Sequence, residues 1–509
     1  MKPHTLANAK QGELPKFIQN LIADLPDSVI LQTDAAGFQQ ALDVSWAQQN
    51  REIIPACFVR PRDAHQLSKA VEILKREHDE RRNKEGESKS GFFAVRSGGV
   101  NVALGAATVQ DGVVIDLSLL SEVTPSPDGS TVTVGTGGRW PDVYKTLEDK
   151  GLIVMGGRSP PVGVGGLTLQ GGISFYSPRH GFVCSNVFSY EVVLADGRIV
   201  TASESEHPDL WRVLKGGANN FGIVTKFTLR SFPSAPLWIG RIYTPAIFQH
   251  AKGRKAFHSY VQSASSPEGF DENAAGPILS FTYVQVIRSQ VMTLHLAYTK
   301  PAAEQAKTKT WPAHWKNTGF PSIFSLYSVN KVMSHGAAIQ DLGSAGRTHT
   351  RHVQGTTTIR NDLETITLAY EIFSRTASKL SCVKGMLFPF TIQAILPAWM
   401  NKGFPNVLGL EGCTEPLIIL SASVSWEKEK DDDLVRGAVK EMLGEIERAA
   451  EGKGTGHPYR FMNYSMEWQK VYEGGGEESL RIMREAGGKY DPDGLFQTGC
   501  AGGFKIGRD

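Results

Sequence analysis

The sequence predicts an α+β fold in two main parts, and three observations carry that prediction. Between residues 54 and 235, short strands, helices and glycine-rich turns follow one another without the strict alternation of a doubly wound sheet. From 236 to 455, strand-like runs alternate with long helical ones, the pattern of an antiparallel sheet with helices on one face. Joining the elements of the first part is VMGGRSPPVGVGGLTLQGGISFYSPRHG (154–181), with glycines at 156, 157, 163, 165, 166, 171, 172 and 181.

Along the chain, PKFIQNLIADL and AGFQQALDVSWAQQ make residues 1–50 partly helical and peripheral. IPACFVRP is a strand closed by proline, and DAHQLSKAVEILKREHDE a helix capped by Asp63. The charged run RRNKEGESKSG (81–91) reads as a surface loop. GFFAVRSGG is a strand ending in the turn Arg96-Ser97-Gly98-Gly99, a second small anion-binding candidate. GVVIDLSLL and STVTVGTGG add strands, WPDVYKTLEDKG a short helix, and SYEVVLADGRIVTA a hairpin turning at Asp196-Gly197. DLWRVLKGGANNFGIVTKFTLRSFP reads as helix, glycine turn, strand. Beyond 236, LWIGRIYTP, PILSFTYVQVI, VMTLHLAYT and PLIILSASVSW are strands, and DLETITLAYEIFSRTASKL and DDDLVRGAVKEMLGEIERAAE are helices.

The 154–181 stretch carries two readings. Successive exposed N–H groups without Cβ cover can curl around an anion, a diphosphate above all, with Leu167 and Leu169 burying the other side. The alternative is a network of tight turns in a β-rich domain. A Rossmann fingerprint is excluded, because Gly163-Val164-Gly165-Gly166-Leu167-Thr168 lacks the third glycine at its spacing. A Walker loop is excluded because no Gly-Lys-Ser/Thr follows.

Composition excludes less common classes. A chain of 509 residues exceeds one simple core, and its 41% hydrophobic and 21% charged content is that of an ordinary globular protein. A net charge of +2 gives no case for nucleic acid or an anionic membrane. The N-terminus has no apolar signal region and no run is long enough to span a bilayer, so a cytoplasmic protein without a membrane partner is expected. Cys57, Cys184, Cys382, Cys413 and Cys500 form no CxxC pair and read as buried free thiols. The sequon at Asn463 is expected to be unused.

Taken together, FVRPRDAHQLSKAV, AVRSGG, GAATVQDGVVIDL, VGVGGLTLQGGISFYSPRHGF, NVFSYEVVLADG, KGGANNFGIVT, NVLGL, RFMNYSMEWQ, KYDPDGLFQ and GGFKI resemble the FAD-linked oxidoreductases of the vanillyl-alcohol oxidase and p-cresol methylhydroxylase (PCMH) superfamily. The fungal berberine-bridge-enzyme-like branch is the closer match. The resemblance implies a two-part FAD-binding domain of the PCMH type at 51–235 and a substrate domain at 236–455 with an antiparallel sheet backed by helices. A C-terminal segment, 456–509, would return to the FAD domain. By the same resemblance, Arg96, Ser97, Gly98, Gly99, Val100 and Asn101, together with Ser159, Val162, Gly163, Gly165, Gly166, Leu167, Gly171 and Gly172, bind the FAD diphosphate and ribityl chain. Gly222, Ile223 and Val224 take the adenine end, and Asn463 lies near the isoalloxazine.

The departures from the family pattern are chemical. The family places a histidine that carries the covalent flavin bond after the second glycine of RSGG; here it is Val100. A second attachment cysteine is matched by Ser159. Ala103 replaces an aromatic residue, His180 a tyrosine, and Ser185 an aspartate. Non-covalent FAD is therefore expected. Two functions follow: oxidation of a specialised metabolite by hydride transfer, with dioxygen reoxidising the flavin and with ring closure or desaturation as outcomes, or a redox-neutral isomerase or cyclase whose flavin is structural or lost. A catalytically idle binding scaffold is a third possibility.

The oxidation needs a base beside the flavin. Tyr464 is the candidate, with Asn463, Glu467, His180 and the amide of Gln393 as further site residues, the last suited to orientation rather than proton transfer. His335, His349 and His352 with Asp341 lack the spacing of a metal site, and no metal is expected.

Overall fold

The computed structural model describes residues 14–85, 91–245, 248–302, 305–308, 310–343 and 347–507. Three sheets form the frame. The first has strands β1 (Val29–Leu31), β2 (Cys57–Val59), β3 (Phe93–Arg96) and β4 (Val113–Asp116) in the order β1-β2-β4-β3; β1 is antiparallel and the rest parallel. The helix Ala64–Glu85 joins β2 to β3, and its first turn is capped by Asp63, which accepts the Gln66 amide at 2.8 Å.

The second sheet is antiparallel and contains β5 (Val123–Pro125), β6 (Thr131–Gly135), β8 (Val187–Val193), β9 (Ile199–Ser203) and β10 (Ile223–Pro233) in the order β5-β6-β10-β8-β9. Strand β7 (Leu152–Val154) pairs with the far end of β10. The hairpin at Asp196-Gly197 lies between β8 and β9 as expected, with Gly197 at φ 85°.

The third sheet is eight-stranded and antiparallel: β11 (Leu237–Thr244), β12 (Ala274–Val284), β13 (Ser289–Tyr298), β14 (Tyr327–Met333), β15 (Arg351–Arg360), β16 (Leu387–Ile395), β17 (Leu417–Trp426) and β18 (Gly456–His457). Their order is β14-β11-β13-β12-β16-β17-β15-β18. Helices Phe248–Ala264, Leu363–Lys379 and Asp432–Gly452 bury their apolar stripes against one face of it. Phe373 stacks on Phe390 with centroids 5.2 Å apart, and beside Gly355 a Cβ would come within 2.5 Å of Leu443, so helix and strand backbones approach closely here. The opposite face, toward the first two sheets, is polar: Ser280, Thr391, Ser421 and Thr356 form one cross-strand row.

Three expectations need correction. The helix after β2 runs to Glu85, so the charged run beginning at 81 is helical at its start; Glu77–Arg81 and Glu80–Lys84 pairs one turn apart support it where apolar periodicity has ended. Residues 14–50 are more than peripheral helices. Strand β1 extends the first sheet, while buried Gln49 bonds to the carbonyls of Val102 and His352 and ties that sheet to β15. Of the five free cysteines, Cys382 is exposed and Cys413 half-buried rather than buried. No described helix is long and apolar enough to cross a membrane.

Candidate cofactor cavity and the residues around it

The end of β3 builds the first wall. Arg96 does not face the cavity. It is 1% exposed and donates to Asp116 at the end of β4 at 2.9 Å, while Arg60 donates to the same oxygen at 2.9 Å. Burial pushes the Asp116 carboxyl up, but the two guanidiniums outweigh it and hold it below the ordinary carboxylate range. This pair fixes where the chain turns into Ser97–Asn101. None of the amides of Gly98, Gly99, Val100 and Asn101 donates a hydrogen bond among the described residues. They remain available to an acceptor outside the chain.

The second wall is the glycine stretch, which forms the short helix Val164–Leu169. A Cβ on Gly98 would meet the Gly163 nitrogen at 2.5 Å, and one on Gly163 the Gly98 nitrogen at 2.6 Å, so the two turns are backbone against backbone. Behind them Arg139 donates to the carbonyl of Gly98 at 2.9 Å and to that of Pro161, and Ser97 Oγ donates to the Thr136 carbonyl at 2.7 Å. A Cβ on Gly166 would meet nothing within 4 Å. That side is open.

Together these walls enclose a cavity of about 400 Å³. Of the expected cofactor residues, Ser97, Gly98, Gly99, Val100, Asn101, Ser159, Val162, Gly163, Gly165, Gly166, Leu167, Ile223, Val224 and Asn463 line it, and Tyr464 joins them. Arg96, Gly171, Gly172 and Gly222 stand behind the wall instead. Gly171 and Gly172 supply φ values of 108° and 75°, and Gly222 lets β10 pack on β8, since a Cβ there would meet Val193 O at 2.8 Å. The sequence reading missed Thr136, Gln170, Asn219, Gln354 and Gly503 as lining residues. Asn219 and Gly503 lie in the quoted runs KGGANNFGIVT and GGFKI; Gln354 carries no local signal at all.

The proton-transfer candidates divide. Tyr464 is half-buried at the cavity wall, held edge-on to Phe461 with centroids 4.8 Å apart. Asn463 spends its amide on the loop: Oδ1 accepts from Gly172 and Nδ2 donates to Leu167 O. His180 lies outside the cavity, 4.8 Å from the Phe232 ring. Burial, with Arg179, Arg230 and Lys402 nearby, pushes it down to about 4, so it is a neutral packed histidine. Glu467 is exposed and paired with Arg436, away from the cavity, because its segment turns that face to solvent. Gln393 is buried on β16, where its Oε1 accepts from Arg158 at 3.0 Å.

No group of three or more metal-ligating side chains is found among the described residues. His335 is packed between Tyr144 and Tyr176, and burial lowers it to about 3.

Comparison with known proteins decides the family. Residues 55–203 match the FAD binding domain family. The FAD-dependent monooxygenase tpcD of Cochliobolus heterostrophus is 31% identical over 472 residues, covering 91% of this chain and 86% of the relative. The chain belongs to the same family of FAD-linked oxidoreductases as this fungal FAD-dependent monooxygenase. A second relative in this family, the FAD-dependent monooxygenase sdcF of Emericella nidulans, is 30% identical over 471 residues, covering 90% of this chain and 92% of its own. Among solved structures, BBE-like 1 of Physcomitrella patens superposes with a TM-score of 0.72 at 18% identity, over 94% of this chain and 97% of that one. The glucooligosaccharide oxidase of Acremonium strictum superposes at 0.72 and 17%, over 98% and 100%. This FAD-linked oxidoreductase therefore has the α+β fold expected of it: a PCMH-type FAD-binding domain and an antiparallel sheet backed by helices.

Proposed function

We propose that the protein holds FAD without a covalent bond in the cavity and uses it to oxidise a small specialised metabolite, with dioxygen as the final electron acceptor. The observation that carries the non-covalent reading is the placement of Val100 and Ser159. Both line the cavity at the positions where the resemblance expects histidine and cysteine, and neither offers an imidazole or a thiolate. Affinity then rests on main-chain amides and packing. In this reading the 97–101 and 159–167 walls take the diphosphate and ribityl chain, and Ile223 and Val224 take the adenine. Arg96, Gly171, Gly172 and Gly222 act as supports. Residues 51–235 form the cofactor domain, 236–455 the substrate domain, and 456–509 the returning segment.

Bound FAD supplies a two-electron acceptor that dioxygen can reoxidise. Tyr464 is the residue we assign to the substrate proton, which its phenolate oxygen takes up to become the neutral phenol: it is the one candidate of the five that lines the cavity with its polar group uncommitted to another described residue. Asn463 holds the Tyr464 segment against the glycine loop. The redox-neutral alternative, with its flavin structural or lost, is the less favoured reading: the intact cradle speaks against a lost flavin, and the relatives' names as FAD-dependent monooxygenases speak against a merely structural one. The names of the relatives favour one variant of the oxidative reading, in which an oxygen atom of dioxygen ends in the product; labelling with ¹⁸O₂ separates it from simple oxidation.

The siting is tested by titrating flavin-stripped protein with FAD and following flavin fluorescence. Gly166→Phe, which fills the open side of the cradle, is expected to weaken binding by about tenfold or more, ~1.4 kcal/mol per decade. Unchanged affinity would contradict the assignment.

A further inference from the structure

Arg158 immediately precedes the cavity residue Ser159, yet its side chain leaves the cofactor loop for the substrate sheet. Its Nη2 donates to Gln393 Oε1 at 3.0 Å. It also borders a narrow space of about 10 Å³ with Phe175, Arg241, Ile278 and His295, room for one water-sized group.

The charge balance of this corner is unusual. In this corner buried Arg241 is answered by Asp341 at 2.6 Å, as buried Arg96 is by Asp116 at 2.9 Å in the first sheet. Arg158 is answered only by a neutral amide, and no carboxylate pairs with it among the described residues. His295 supplies no compensation. Burial, then Arg241 and Arg158, lower it to about 3, so it is uncharged, and its Nδ1 is buried without a partner. The rest of the sheet face offers small hydroxyls, with Ser280 and Thr391 bonded to each other at 3.0 Å.

A guanidinium has five donors in a planar fork that fits a carboxylate in bidentate fashion, and one held beside apolar walls without a counterion gains most from such a partner. We infer that Arg158 anchors an oxyanion of the substrate, a carboxylate or an acidic enol, at the junction of the glycine loop and the substrate sheet. The inference rests on the flavin reading above and names the class of molecule that would enter. Arg158 is an anchoring residue, held in place by Gln393.

The test is calorimetric titration of the flavin-loaded protein with acetate, benzoate and 2-naphthoate, each against its neutral amide, with FAD content measured separately by absorbance. At least one carboxylate is expected to bind about tenfold tighter than its amide. Arg158→Gln should abolish that preference while retaining FAD, and Arg158→Lys should keep a reduced preference, which also covers the case in which the glutamine variant fails to fold. A flavin-loaded wild type that prefers no carboxylate, or an Arg158→Gln variant that keeps the preference, overturns the anchor alone. A wild type that takes up no FAD overturns the flavin reading instead, and the carboxylate titrations of that protein still decide the anchor by the same criteria.

Discussion

Asn463 accepts the Gly172 amide at 3.1 Å across 291 residues of sequence, and from its other end donates to Leu167 O at 3.2 Å. One side chain thus staples the returning C-terminal segment to the glycine loop at two points. Gly172 is fit for this contact because its φ of 75° and its crowding against Leu167 and Val183 leave no room for a side chain. Asn463→Ala removes two hydrogen bonds worth about 1 kcal/mol each. The expected outcome is an FAD affinity about tenfold or more weaker, with Tyr464 no longer fixed; fluorescence titration reads it.

Val100→His restores an imidazole at the cavity wall. If Val100 faces the flavin ring, the variant should acquire flavin that stays with the protein in denaturing electrophoresis and adds the mass of FAD. A variant that folds, binds FAD and never retains it after denaturation would argue that the ring lies elsewhere.

Asp116→Asn leaves Arg96 buried without its counter-charge. Breaking a buried pair from one side costs about 3–5 kcal/mol, and Arg60 loses its partner as well. A substantial fall in midpoint of chemical denaturation is expected, accompanied by loss of bound FAD because the Ser97–Asn101 turn hangs from this pair. Loss of FAD without loss of stability would show that Arg96 acts on the cofactor directly.

His335 is 1% exposed and held neutral down to about pH 3, against about 6.5 in an unfolded chain. Below pH 6.5 the unfolded state binds the extra proton, so stability is full above that value and falls as pH drops toward 3, by at most about 1.4 kcal/mol per pH unit for this group. His295, His180, His250 and His352 are lowered in the same direction. Denaturant unfolding at pH 7 and pH 5 should therefore differ clearly, and His335→Phe should shrink the difference. A pH-independent midpoint over this range would contradict the burial of these rings.

Much of the fold around the glycine-walled cavity was legible because glycine order, a capping aspartate and a hairpin turn are local signals, and local chemistry enforces them. What escaped reading depended on distant partners. Arg96 looked like an anion ligand until Asp116, 20 residues on, claimed it. His180 and Glu467 had the right chemistry, but packing against Phe232 and pairing with Arg436 removed them from the site. Strand β15, RHVQGTTTIR, shows no clean alternation because its cavity-facing side is polar and its other side needs glycine for Leu443. Arg158 stood in plain view in GGRSPP, but its importance comes from Gln393, 235 residues away.

The central claim is that FAD sits in this cavity with no bond to Val100 or Ser159. Its most direct test is the visible absorption spectrum of the purified protein before and after acid precipitation. The account predicts a flavin band that passes entirely into the supernatant. A yellow pellet would contradict the non-covalent reading, and a colourless protein that takes up no added FAD would contradict the cofactor assignment itself.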